Sequence, residues 1–136
     1  MPEFHDARDA HAPPEEVWKI LYDPSRFPDW WTGVETVDTS PEREGADRGT
    51  VTLYPDGSPD FPMPQDVRTN REDRRVTISC LVSELRFSWH LEPVEPEGTH
   101  ISVDVLIPEQ EAHRLDTQRD AMRQSLENLA TLAETA

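Results

Sequence analysis

The sequence predicts an α+β fold in which one antiparallel sheet is covered by one long helix. Three observations carry this reading. Residues 75–82, 85–92 and 99–107 alternate apolar and polar side chains at the two-residue period of a strand with one wet face. After Pro108 the period changes: Leu115, Met122, Leu126, Leu129 and Ala133 draw one apolar stripe along a helix. The chain, residues 1–136, has the usual length of a single domain built around one core.

Each element has a local cause. Residues 4–11 form a weakly alternating, charge-rich first strand. Pro13 and Pro14 set the dihedrals of a first helical turn, and Glu15 and Glu16 follow where the helix dipole favours anions. Val17, Ile20 and Leu21 then give an apolar face, so a short helix is expected over 14–22. Asp23 before Pro24 has the form of an N-cap followed by a proline at the first helical position, which predicts a second short helix over 25–31. Weaker strands follow near 33–38, 49–54 and 65–71, the last ending at the charged turn Glu72-Asp73-Arg74. In the three clear strands the apolar sets are Val76, Ile78, Cys80 and Val82; Leu85, Phe87, Trp89 and Leu91; and Ile101, Val103, Val105 and Ile107. Tight turns at Ser83-Glu84 and at Glu95 to Gly98 join them. The terminal helix is expected to run about 35 to 40 Å at 1.5 Å per residue, enough to cross a sheet.

Composition narrows the function classes. Thirteen basic against 28 acidic residues give a formal charge of −15, which repels phosphate backbones, so nucleic acid is excluded as an expected partner. No apolar run is long enough to span a bilayer. One cysteine forms no internal disulfide, and the first residues lack a signal-peptide pattern, so a cytoplasmic location is expected. His5, His11, His90, His100 and His113 have no metal-ligand spacing, and no phosphate-cradling glycine loop or nucleophile elbow occurs. Neither a metal nor a cofactor is expected. Cys80, between Ile78 and Val82 on an apolar face, reads as an inert core thiol.

The run Ala12-Pro13-Pro14-Glu15-Glu16-Val17-Trp18 and the later Asp23-Pro24-Ser25-Arg26-Phe27-Pro28-Asp29-Trp30-Trp31 carry a family signal. With the Gly98-Thr99 turn, the helix Arg119 to Leu132 and the element order, they resemble the START-like (SRPBCC) superfamily, in its polyketide cyclase/dehydrase and lipid-transport branch. The resemblance implies a helix-grip fold: a curved seven-stranded antiparallel sheet around the last helix, with two short helices after the first strand and an apolar cavity between sheet and helix. Val76, Ile78, Cys80, Phe87, Trp89, Val103, Val105, Leu115, Arg119, Met122 and Leu126 would then line the cavity. Trp30, Trp31, Phe61 and Met63 would stand at its entrance. From the residues alone, a filled core and a ligand cavity both remain open, as do gate and plug roles for the four entrance residues.

Two polar features stand out. Arg119 falls three residues before Met122 and four after Leu115 on the apolar stripe, so it must snorkel, pair with a carboxylate or meet a ligand oxygen. Gln65 and Thr69 share the parity of Val67 and could add hydrogen bonds inside. Asp6 and Arg8 occupy alternating positions where relatives are apolar; the favoured reading is an outward-facing charged edge. The expected function is binding or carriage of a small hydrophobic or amphipathic molecule, such as a lipid, isoprenoid or polyketide, by a monomer or homodimer. A cyclase/dehydrase enzyme using the same cavity and a protein-interaction module with a filled cavity are the alternatives.

Overall fold

In the computed structural model, which describes residues 3–39, 48–55, 62–81, 85–95 and 97–135, the chain opens with β1 (Glu3–Ala10) and α1 (Pro14–Leu21). A 3-10 turn (Pro24–Arg26) and α2 (Phe27–Trp30) follow. Then come β2 (Val34–Thr39), β3 (Arg48–Pro55), β4 (Met63–Asn70), β5 (Arg75–Cys80), β6 (Arg86–Val94) and β7 (Gly98–Leu106). A second 3-10 turn (Glu109–Arg114) leads into α3 (Leu115–Thr135).

The seven strands form one antiparallel sheet in the order β1-β7-β6-β5-β4-β3-β2. Strands β2 to β7 meander, and β1 closes on the free side of β7. Directly paired residues share a face, so the register writes out rows across the inner surface. One row is Thr69, Val76, Trp89, Val103 and Asp6; the next is Val67, Ile78, Phe87, Val105 and Phe4. The expected alternation of the three clear strands is present, with Val76, Ile78, Phe87, Trp89, Leu91, Ile101, Val103 and Val105 all buried.

Pro14 at the start of α1 and acidic residues in its first turn set a helix that buries Val17, Trp18, Ile20 and Leu21. Asp23 caps the next turn, accepting from the Ser25 N–H at 3.0 Å and from its hydroxyl at 2.7 Å. The single helix expected over 25–31 is instead a 3-10 turn followed by the four-residue α2. Pro28 is the reason, because it has no N–H to bond back to Pro24. Residues 109–114 likewise wind as 3-10, so α3 itself has 21 residues and is about 31 Å long.

One expectation is corrected at β1. It is an edge strand, but Asp6 and Arg8 do not face outward: they lie opposite Val103 and Ile101 and share the inner face with Phe4 and Ala10. Position at the rim, not parity, keeps them wet. Arg8 is exposed and Asp6 half-buried, with Asp6 Oδ2 at 3.7 Å from Nε of Arg123 on α3. The turn expected at Ser83-Glu84, with Val82, lies outside the described residues. In the other expected turn, Glu97 adopts φ 112° and its N–H donates to the Val94 carbonyl at 3.3 Å.

Candidate functional site

The inner face of the sheet and the submerged stripe of α3 bring most of the expected cavity residues together. Val76, Ile78, Cys80, Phe87, Trp89, Val103 and Val105 come from β5, β6 and β7, and Met122 and Leu126 from α3; all are buried, while Leu115 is only half-buried. Gln65 joins them: it pairs with Cys80 on β5 and Val51 on β3, and is 2% exposed. Its Nε2 donates to the Met63 carbonyl at 3.3 Å.

Trp30 and Trp31, expected at a cavity mouth, are instead in the core, together with Phe27. Trp30 and Trp31 stack at 5.8 Å, Phe27 meets both edge-on, Trp31 meets Phe87 at 5.0 Å and Trp30 meets Trp89 at 5.1 Å. The cause is a polar fastening of the segment after α2 to α3. Ser125 Oγ accepts from the Thr32 N–H at 2.9 Å and itself donates to the Ala121 carbonyl at 2.6 Å. Asn128 Nδ2 donates to the Trp30 carbonyl at 3.2 Å. These bonds hold both indoles against the sheet. Of the other two entrance residues, Met63 is half-buried opposite Leu53, and Phe61 lies outside the described residues.

The aromatic cluster contains two anomalies. The indole nitrogens of Trp30 and Trp89 are buried, and neither meets a hydrogen-bond partner among the described residues. A buried donor left without an acceptor costs about 1–3 kcal/mol, so the pair stands out in an otherwise well-satisfied interior. The buried polar side chains Gln65, Thr99 and Ser125 among the described residues are engaged: Thr99 Oγ1 donates to the Ala12 carbonyl at 2.7 Å, and Gln65 and Ser125 are bonded as above.

Arg119, expected on the buried stripe, is exposed, and its guanidinium carbon lies 5.8 Å from the centroid of the Phe4 ring. The stripe submerges only from Met122 onward. The first turns of α3 stand at the rim, where the Arg119 guanidinium lies over the Phe4 ring and is open to water. Arg119→Met is therefore expected to leave thermal stability within about 0.5 kcal/mol of the parent. The affinity for an oxygen-bearing ligand should also stay unchanged; a fall in that affinity would return Arg119 to the binding site.

A family model described as polyketide cyclase / dehydrase and lipid transport matches residues 1–134. The chain belongs to this family. It is thus a START-like protein of the polyketide cyclase/dehydrase and lipid-transport branch, with the helix-grip fold. Solved structures agree on that fold. The Zhui aromatase/cyclase from Streptomyces sp. R1128 superposes with a TM-score of 0.81 at 17% identity, over 98% of this chain and 93% of that one. The di-domain ARO/CYC BexL of the BE-7585A biosynthetic pathway gives 0.76 at 18% identity, over 98% of this chain and 47% of that one. Protein MLL2253 from Mesorhizobium loti gives 0.78 at 16% identity, over 99% and 98%. No curated protein matches the sequence.

In this member of the family the outer face of the sheet is polar. His5 and Asp104 are 2.8 Å apart and His100 and Asp9 2.6 Å apart, two cross-strand pairs that lace β1 to β7. An open groove of about 470 Å³ lies at one end of this edge, lined by Glu3, Phe4, His5, Arg86, Ser88, Asp104, Val105 and Leu106. Most of its side chains belong to the outer face, so it is separate from the aromatic interior. Among the described residues, no three of His, Cys, Asp and Glu gather as metal ligands, and no helix is long and apolar enough to cross a membrane.

Proposed function

We propose that the protein binds or carries a small hydrophobic or amphipathic molecule, of the lipid, isoprenoid or polyketide kind, between the inner sheet face and α3. The observation that carries this reading is the aromatic interior. Phe27, Trp30, Trp31, Phe87 and Trp89 are linked ring to ring in one cluster, within the core that Val76, Ile78, Cys80, Val103, Val105, Met122 and Leu126 share. Few polar groups interrupt that core, the composition of a site that holds a ligand by apolar area and orients it with a small number of hydrogen bonds. Family membership supports the same reading. A reducing cytoplasm suits a chain whose single cysteine, Cys80, is buried and outside any disulfide.

A second reading, cyclase or dehydrase chemistry in the same interior, is favoured by the names of two similar structures, an aromatase/cyclase and an ARO/CYC protein. Carriage stands ahead of it because the ionisable groups that reach the inner face of β1, Asp6 and Arg8, are at the wet rim and not beside the aromatic cluster. Chemistry of that kind needs an acid or base placed against the reacting carbon chain.

The native, monodisperse protein is expected to take up 1-anilinonaphthalene-8-sulfonate and to release it on titration with fatty acids or aromatic polyketides. Failure of all of these to displace the dye would overturn carriage, and absence of dye uptake would favour the interaction module with a filled interior. Turnover of a poly-ketone chain by the pure protein would move the enzyme reading ahead.

A further inference from the structure

We infer that Trp30 and Trp89 are the groups that orient the ligand, their two indole N–H donors taking an oxygen acceptor, so that the interior selects molecules bearing carbonyl-type oxygen over bare hydrocarbons. The inference rests on the cavity reading above and adds to it the chemistry of the polar end. An indole N–H donates and never accepts, so its partner must be an acceptor, and a cationic or donor-only group is excluded. Both nitrogens are buried and unpartnered among the described residues. The neighbouring rings, Phe27, Trp31 and the partner indole of the pair, offer C–H or N–H edges and π faces but no lone pair, and an N–H directed at a π face is a weak substitute for an oxygen.

The placement is specific. Trp89 is held mid-strand on β6 between Val76 and Val103. Trp30 ends α2, and its carbonyl is bonded to Asn128 of α3. Two different elements therefore converge on one another, with ring centroids 5.1 Å apart and planes at 83°. Donors fixed this way need no reorganisation when an acceptor arrives, which is what makes a few hydrogen bonds effective in an apolar site. If these rings served packing alone, phenylalanine would fill much of the same space with no donor to leave unpaired.

The test uses a matched pair of probes, 9-fluorenone and fluorene, which share a skeleton and differ by one carbonyl. Affinities are measured by displacement of the dye from the parent, Trp30→Phe and Trp89→Phe. The fluorenone-to-fluorene affinity ratio is expected to fall about three- to tenfold in at least one variant, the scale of one hydrogen bond; comparing ratios cancels the different hydration of the two probes. In the ¹⁵N-labelled parent, the indole N–H resonance of Trp30 or Trp89 should move downfield with fluorenone and not with fluorene, with Trp18 and Trp31 as internal references. This second measurement stands even where a variant fails to fold. An unchanged ratio with unmoved indole resonances, while both probes still bind, would overturn the inference and leave carriage intact. Failure of both probes to bind would overturn carriage itself and the inference with it.

Discussion

Trp89→Ala is expected to lower the unfolding free energy by about 3–5 kcal/mol, the range for truncating a buried tryptophan or phenylalanine. Against a total stability of about 5–15 kcal/mol for a domain of this kind, that is a large fraction. Trp89 is fully buried, lies in the third strand from the β1 edge, and has Val76 and Val103 on either side in its row. The sheet backbone on both flanks is hydrogen-bonded and cannot collapse into the space, so the cavity left behind adds to the lost transfer energy. The edge-on contact with Trp30 disappears as well. Trp31→Ala belongs in the same range, which a gate role would not give: Trp31 is 6% exposed and touches Phe27, Trp30 and Phe87. Urea titrations followed by circular dichroism, with the slope checked for two-state behaviour, measure both. A Trp31→Ala cost below about 1 kcal/mol would restore the gate.

The same residues show what was legible in the sequence. Parity and helical phase are angular information, and they placed Ile101, Val103, Val105 and Ile107 on the buried side and drew the α3 stripe correctly from Met122 onward. Depth is a different coordinate. Arg119 has the phase of a core residue, spaced by sevens from the buried Leu126 and Ala133, yet it is wet because its turn of α3 stands at the rim. Asp6 shows the same in a strand, a charge whose parity is inward but whose strand is the last in the sheet. Neither position is encoded in a period of 2 or 3.6. The burial of Trp30 and Trp31 depends on contacts across 93 and 98 positions of sequence, from Thr32 to Ser125 and from Trp30 to Asn128. Ser125 did leave a trace: it falls three after Met122 and four before Leu129, and a serine on an apolar stripe needs a partner. The unpartnered indoles left none, since only coordinates reveal which donors lack acceptors.

Substitution at Gly98 is expected to cost nearly as much as a core truncation, for a steric reason. Gly98 opens β7 opposite Val94, and a Cβ there would sit 2.9 Å from the Ala10 carbonyl oxygen and 3.2 Å from Val94 Cγ2. The first neighbour is backbone and is held from two sides. Ala10 pairs with Thr99, the Thr99 hydroxyl donates to the Ala12 carbonyl, and the intervening His11 N–H donates to Glu134 on α3 at 2.8 Å. Moving Ala10 out of the way therefore disturbs the β1–β7 pairing and the docking of α3 together. Gly98→Ala should cost about 1–3 kcal/mol and Gly98→Val at least the upper end of that range, because its extra methyls are driven toward Val94. Gly33→Ala is the control. Gly33 has φ 100° with nothing within 4 Å of the added Cβ, so its cost is conformational, about 1–2 kcal/mol, and should not grow much from alanine to serine. Hydrogen exchange should show the Gly98 variants losing protection first at the end of β1 and the start of β7, while the Gly33 variants leave that corner intact. A neutral Gly98→Ala would mean that the corner yields, and that the edge strand is held by the His–carboxylate pairs of the outer face more than by close backbone approach.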